Sequence, residues 1–341
     1  MAPLPTRPLG KNGPEVTRLG FGLMGLGAFA YGAGKPDSER LALLDKAYEQ
    51  GEWFWDTAEL YGDSEELIGK WFAANPTKRK DIFLATKFYA RIENGQRITD
   101  TSPENARRNL EQSLRRLGVP SIDLYYVHRL DPNRPIEETV QALVEFKNEG
   151  KIKYLGLSEC SSDSLRRAHR IHPITAVQVE YSPFSLEIES KQIDILRTAR
   201  ELGVAVVAYS PLSRGILSGR VRSREDFGAG DIRAWLPRFS EENFDRNLVV
   251  VDRLNELARE KGVTVSQLTL AWLLAQGDDV FPIPGTTREE ALVENVESLK
   301  VELSEEEEKR FRGIVAEAEV GGERYPDAFK ETLYVDTVLP K

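Results

Sequence analysis

The sequence predicts a (β/α)8 TIM barrel, a closed ring of eight parallel strands each followed by a helix, occupying residues 1–341 as a single domain. Three observations predict it. Eight short apolar segments recur along the chain, the stretches between them have helical period with helix-ending signals, and no Ser/Gly-rich or low-complexity linker divides the 341 residues. A barrel of this kind takes about 250 residues, which leaves room for additions at either end.

The strand candidates, in order, are Arg18–Gly22, Trp53–Asp56, Ile82–Thr86, Ile122–His128, Ile152–Ser158, Ile174–Val179, Val204–Tyr209 and Val280–Ile283. Several, IDLYYV and AVVAY among them, are almost continuously apolar, as strands covered on both faces are. Asp37 and Ser38 are placed to cap a first helix that Gly51 closes, and Ser102 precedes Pro103 at the start of a helix that Gly118 ends. Residues 5–17, with Lys11-Asn12-Gly13 as the turn, predict a hairpin across the barrel bottom. Residues 210–240 lack clear periodicity, and loops of that length are usually functional. A helix near Ser304–Glu319 and a tail to Lys341 lie beyond the eighth unit.

Composition narrows the function. A formal net charge of −9 disfavours a protein that tracks nucleic-acid phosphates, which needs an excess of Lys and Arg. No stretch approaches the ~18 apolar residues of a membrane span, and MAPLPTRPLGKNG lacks the apolar centre of a signal peptide, so the expectation is a cytoplasmic protein. Cys160 is the sole cysteine, and no Cys or His spacing matches a metal site. Gly20-Phe21-Gly22-Leu23-Met24-Gly25 matches the G-x-G-x-x-G of doubly wound dinucleotide-binding sheets. That motif must open a helix, however, and here GLGAFAYGAGKP delays any helix to about Ser38. The alternative is a glycine-rich first barrel loop.

Three ionisable residues end neighbouring strands: Asp56 the second, Lys87 just past the third, His128 the fourth. In barrels the C-terminal rim carries the active site. Tyr61, in the short loop TAELYGDSE, can fold over the same mouth. Singly, each has an ordinary reading as a cap, a solvated charge or a surface ring. Together, among Trp53, Phe54, Trp55, Phe83, Leu84 and Tyr126, they read as charges that satisfy one another. A phenol is a poor acid at neutral pH unless a cation stabilises its phenolate, and Lys87 supplies one. Asp56 holds Lys87 charged, His128 can orient a substrate oxygen, and Tyr61 can protonate it. Such a site lacks its own reductant, so an external hydride source is implied.

Trp55-Asp56-Thr57-Ala58-Glu59-Leu60-Tyr61-Gly62, Ala85-Thr86-Lys87, Tyr126-Val127-His128-Arg129, Ala208-Tyr209-Ser210-Pro211-Leu212 and Ile283-Pro284-Gly285 with Glu294-Asn295 together resemble the aldo-keto reductases, in order and over nearly the whole chain. The resemblance implies a (β/α)8 barrel binding extended NADP(H), with Asp56, Tyr61, Lys87 and His128 catalytic. His128-Arg129, Gly156–Cys160 and Val177–Phe184 look most like the fungal pyridoxal-reductase branch, which implies an aldehyde or ketone reductase and makes pyridoxal a candidate substrate. The same site can run toward alcohol oxidation. Redox-sensing potassium-channel β subunits share this barrel and are the alternative outside the enzymes. A hydrolase with paired carboxylates is disfavoured, because the rim offers one obvious acid.

Ser158 and Gln178 can bind the nicotinamide carboxamide and Tyr209 can stack beneath the ring, roles that the resemblance also implies. Gly22 and Met24 of the first loop are further cofactor candidates. Glu159 departs from the pattern, since many relatives carry Asn there and a carboxylate only accepts hydrogen bonds. The backbone of Ser210, Leu212, Ser213 and Gly215 resembles a loop covering the pyrophosphate, with Arg214 and Arg220 nearby. Gly285 leads to Arg288, Glu294 and Asn295, where a helix start favours an anion; Arg288 is expected on the 2′-phosphate, making NADPH preferred over NADH. Phe88, Arg129 and Trp235, with Phe29, Tyr31 and Tyr325, are candidates to shape a small-molecule carbonyl site.

Overall fold

The structure is a computed structural model that describes residues 4–28, 30–32 and 34–341. Its eight parallel strands follow one another around a curled sheet: β1 Phe21–Gly22, β2 Phe54–Asp56, β3 Phe83–Phe88, β4 Ile122–Val127, β5 Ile152–Ser158, β6 Ala176–Glu180, β7 Ala205–Tyr209 and β8 Val280–Pro282. Each expected strand is present, trimmed or shifted by a few residues. The third runs on to Phe88, so Lys87 lies within β3 rather than past it. Likewise Gln178 sits mid-strand in β6.

Glycine closes the ring. Gly20 N donates to Pro282 O at 3.0 Å and Gly22 N to Pro284 O at 3.3 Å, joining the first unit to the eighth. A Cβ on Gly22 would lie 2.7 Å from Ile283 O, and one on Gly285 would lie 2.6 Å from Gly22 O. The glycines of the G-x-G-x-x-G stretch therefore permit close backbone approach; a short 3-10 turn at Met24–Leu26 follows, not a long helix.

The helices lie outside: α1 Asp37–Gln50, α2 Ser64–Ala74, α3 Pro103–Leu117, α4 Ile136–Asn148, α5 Ser162–Ile171, α6 Ile195–Leu202, α7 Glu241–Lys261, α8 Val265–Ala275, α9 Glu289–Glu297, α10 Glu305–Glu317 and α11 Asp327–Lys330. α3 starts as its sequence dictates, with Ser102 Oγ accepting from Asn105 N at 3.2 Å, and Gly118 ends it at φ 63. α1 does not: Pro36 is its N-cap, and Asp37 is instead bound by Arg40 and Lys70. Two helices, not one, separate β7 from β8. α8 is apolar on nearly every side because α7 and α10 cover it, with Trp272 stacked on Phe311 at 5.1 Å.

The lower interior is filled by Phe54, Leu124, Tyr126, Val207 and Phe281, plugged from below by Leu9 and Val16 of the expected hairpin, Thr6–Pro8 paired with Glu15–Thr17. A second hairpin, Ala90–Glu93 with Gln96–Thr99, rises beyond β3 around Asn94-Gly95, both at positive φ. Its Asn-Gly turn was legible and went unread. The 210–240 segment forms short 3-10 turns, and the tail returns to the barrel, where Val335 N donates to Glu159 O and Ser161 N to Val335 O, each at 2.9 Å.

Glu52 is buried without a cation, and its Oε2 has no hydrogen-bond partner among the described residues. Burial pushes its carboxyl up to about 8 from an ordinary 4.5. The folded chain thus holds a proton there that the unfolded chain releases between those pH values, so stability falls as pH rises through that window. We expect Glu52→Gln to recover on the order of 4 kcal/mol at pH 8.5 and almost nothing at pH 4, measured by urea unfolding at both.

Candidate active site

The strand register assembles the polar cluster. β2 pairs Asp56 with Ala85 of β3, and Lys87, two residues further along β3 and paired with Tyr126 of β4, shares the Ala85 face, so the two charged side chains enter the barrel from adjacent strands. Lys87 Nζ donates to Asp56 Oδ1 at 2.5 Å and to Thr57 O at 2.8 Å, and lies 3.5 Å from Tyr61 Oη. Gln178 Nε2 donates to the other Asp56 oxygen at 2.8 Å. The Gln178 amide donor expected for a ligand is therefore partly committed to Asp56. Tyr61 reaches the cluster because residues 58–61 make a tight turn, Tyr61 N donating to Ala58 O at 3.0 Å. His128 follows β4, with its ring edge-on to Tyr61 at 5.7 Å and to Tyr89 at 5.6 Å, and its Nδ1 has no hydrogen-bond partner among the described residues.

Electrostatics give each group a state. Burial works against charge on Lys87, but the Asp56 carboxylate outweighs it and holds the ammonium above its usual range. Burial raises Tyr61, and Lys87 pulls it back without cancelling the rise. The expected influence of the lysine is there, but burial wins, so Tyr61 carries its proton at neutral pH. His128 is pushed well below its usual range by burial and then by Arg129, Lys87 and Arg97, which makes it a neutral imidazole.

A cavity of about 540 Å³ runs from this cluster toward α9. Asp56, Tyr61, Gly22, Met24, Gln178, Tyr209, Ser210, Leu212, Gly215, Gly285, Arg288, Glu294 and Asn295 all line it. Ser158 and Ser213 do not, and neither do Lys87, His128, Phe88, Arg129 and Trp235. Ser158 lies buried at the end of β5, and Ser213 turns its hydroxyl to Ser182 Oγ at 2.8 Å. The amides of Ser213 and Gly215 bond Ser210 O and Leu212 O within the turn at 2.8 and 2.9 Å. Arg220 pairs with Glu294 at 3.1 Å. Arg288 is the N-cap residue of α9 and, among the described residues, has no carboxylate within ion-pair reach.

Glu159 is the largest surprise at the mouth. It sits at φ 49, fully buried, with Arg324 of the tail bonded to both carboxylate oxygens at 3.1 Å and the Tyr209 hydroxyl donating to it at 2.8 Å. Burial opposes its charge, yet Arg324 and Arg129 together hold it below the usual carboxylate range. The residue that departs from the family pattern thus anchors the tail and the Tyr209 ring. No spacing could have paired Glu159 with Arg324, which are 165 residues apart. The neighbouring Glu180, Arg238 and Arg214 of the same buried charge cluster were missed for the same reason. Tyr89 could have been found, because it stands two residues after Lys87 and strand neighbours at that spacing share a face.

Of the residues expected to touch substrate, Phe88 is misplaced. Since Lys87 points inward, Phe88 points outward, stacked on Tyr125 at 5.1 Å in the core. Arg129 and Tyr325 are at the mouth, Arg214 lying over the Tyr325 ring at 4.8 Å. Trp235 is half-exposed on the rim, 6.0 Å from Phe329. Tyr31 lines the cavity and bridges to Asp231. Phe29 lies outside the described residues.

Strand order, helix placement and the rim site define a (β/α)8 barrel protein with its polar cluster at the C-terminal face. The model of the Aldo/keto reductase family matches residues 18–316. The aldo-keto reductase str7 of Strobilurus tenacellus is 49% identical over 326 residues, covering 94% of this chain and 95% of that protein. The aldo-keto reductase yakc [NADP(+)] of Schizosaccharomyces pombe is 45% identical over 343 residues, 99% of each. Among solved structures, the glycerol dehydrogenase AKR11B4 from Gluconobacter oxydans superposes with a TM-score of 0.82 at 29% identity, over 94% of this chain and 98% of that one. The aldo-keto reductase AKR11C1 from Bacillus halodurans does so with a TM-score of 0.75 at 28% identity, over 91% and 96%. The chain belongs to the aldo/keto reductase family.

Proposed function

We propose that this protein is an NADP(H)-dependent reductase that converts an aldehyde or ketone to an alcohol, with Tyr61 as the proton donor. The observation that carries the reading is the Lys87 ammonium 3.5 Å from a buried, protonated Tyr61 hydroxyl that lines the cavity. The residues present fit the cofactor: the cavity is long, glycine backbone at Gly22 and Gly285 allows close approach, and Arg288 at the start of α9 offers an unpaired guanidinium to a phosphate. The family relative in Schizosaccharomyces pombe carries NADP(+) in its name, which supports the choice. When bound, the reduced nicotinamide supplies the hydride.

The chain's own groups do the rest. His128, neutral, hydrogen-bonds the substrate oxygen and aims the carbonyl at Tyr61. Tyr61 gives its proton to the developing alkoxide, and Lys87, kept charged by Asp56, stabilises the phenolate left behind. Gln178 steadies Asp56, and its amide oxygen, the Ser158 hydroxyl and the Tyr209 ring would hold the nicotinamide. The aromatic rim suits a flat carbonyl compound, and pyridoxal is one candidate substrate. Steady NADPH oxidation with pyridoxal or 4-nitrobenzaldehyde tests the reading; no turnover with any member of a broad carbonyl panel would overturn it.

Arg288 gives a cofactor prediction. Removing a charge-assisted contact to the 2′-phosphate should weaken NADPH binding about 10- to 100-fold and leave NADH unchanged. Dissociation constants for both cofactors with Arg288→Ala check this, and an intact NADPH preference would refute the assignment.

A further inference from the structure

Arg129 carries a charge with no carboxylate in ion-pair contact among the described residues; burial works against that charge, and Tyr209, Tyr325, Glu159 and Tyr61 act on it at longer range and outweigh the burial. Other cations packed at the mouth each have a carboxylate in reach: Lys87 has Asp56 at 2.5 Å, Arg324 has Glu159 at 3.1 Å, Arg238 and Arg214 have Glu180 at 3.6 and 3.7 Å, and Arg233 has Asp231 at 2.6 Å. Arg129 is half-buried and, among the described residues, forms no ion pair. Of the phenols beside it, burial keeps Tyr61 and Tyr209 protonated, while at Tyr325 burial is outweighed by Arg214 and Arg129, which leave that phenol below its usual range; Glu159 is already held by Arg324.

Its geometry leaves one edge of the guanidinium free. Nη1 donates to His128 O at 2.8 Å and lies 3.5 Å from Ser158 Oγ, which fixes the plane. Nε and Nη2 have no partner among the described residues, and neither is sealed from solvent. Two parallel donors on one edge match the two oxygens of a carboxylate. A ligand carboxylate would give both free donors a charge-assisted partner there.

The position says which ligand. In the function proposed above, the cofactor phosphates lie toward Arg220 and Arg288, at the far end of the cavity. Arg129 contacts His128 and Ser158, the residues that in the proposed function would meet the substrate carbonyl and the nicotinamide. We propose that Arg129 reads a carboxylate on the substrate, so that the preferred substrates are oxo acids and carboxy-aldehydes rather than their neutral counterparts. This rests on the carbonyl-reductase reading and narrows it.

The test compares 3- and 4-carboxybenzaldehyde, each beside its methyl ester, with NADPH at low ionic strength. For at least one isomer, kcat/KM for the acid should exceed that for the ester by about 10- to 100-fold, chiefly through KM, as a charge-assisted bidentate contact supplies. Arg129→Met should bring that ratio near one, and Arg129→Lys should keep part of it. A wild-type ratio near one for both isomers, or a ratio that survives Arg129→Met, overturns the inference. If Arg129→Met fails to fold, competitive inhibition of the wild type by benzoate against benzamide decides, and equal inhibition overturns it. Esters reduced without any acid preference refute this inference alone; if neither acids nor esters are reduced this inference falls, and the reductase reading falls with it when the broad carbonyl panel is inert too.

Discussion

Tyr61→Phe should lower kcat for aldehyde reduction by about 10²- to 10⁴-fold while leaving NADPH binding unchanged. The substitution removes one hydroxyl and keeps the ring, so the edge-on packing against His128 and the cavity wall survive. What is lost is the only phenol within contact of Lys87 Nζ among the hydrogen bonds of the cluster. Single-turnover hydride transfer with bound NADPH checks the effect directly. A variant that kept most of the rate would show that water or His128 delivers the proton, and the proposed role of Tyr61 would fall.

The second large effect is expected from Lys87→Met. Lys87 is fully buried and is the cationic partner of Asp56, so its removal leaves a buried carboxylate with Gln178 as its remaining donor. Breaking such a pair costs about 3–5 kcal/mol, whereas removing both charges costs much less. Denaturant unfolding should therefore show a large loss for Lys87→Met and partial recovery in Asp56→Asn/Lys87→Met. The stability loss should grow with pH, because burial already raises the Asp56 carboxyl and loss of the ammonium raises it further. The folded single variant then holds a proton that the unfolded chain gives up, so stability is present at low pH and lost as pH rises through that carboxyl's folded value.

Catalysis should respond separately. Lys87 pulls the Tyr61 phenol down against its burial, so without it the alkaline limb of the kcat profile moves to higher pH while the plateau falls. The double variant should regain stability without regaining rate. If it regained both, Lys87 would be a structural residue alone.

The barrel was legible because each strand is covered on both faces, and continuous apolar runs such as Ile122–Val127 and Ala205–Tyr209 announce that without any knowledge of their neighbours. The same local logic found the Ser102 cap and the Gly51 and Gly118 stops. It also found Asp56, Lys87 and His128 as strand-end charges that an apolar setting would force together, although their state was misjudged at Tyr61, where burial outweighs the ammonium. Local logic failed at Phe88, because the end of β3 was drawn too early and the strand's alternation was cut short.

Tertiary structure alone decided the rest. What Glu159 grips depended on Arg324 arriving from the tail, and the 210–240 segment folds into turns, Ser213 N on Ser210 O and Gly215 N on Leu212 O, whose geometry no periodicity encodes. Hydrophobic period and helix caps are properties of a few consecutive residues, so the sequence by itself determined the elements and the rim charges. Which charge meets which depends on how distant segments pack around the closed barrel. That left the position of Arg129, which forms no ion pair among the described residues, to be seen only in the folded protein.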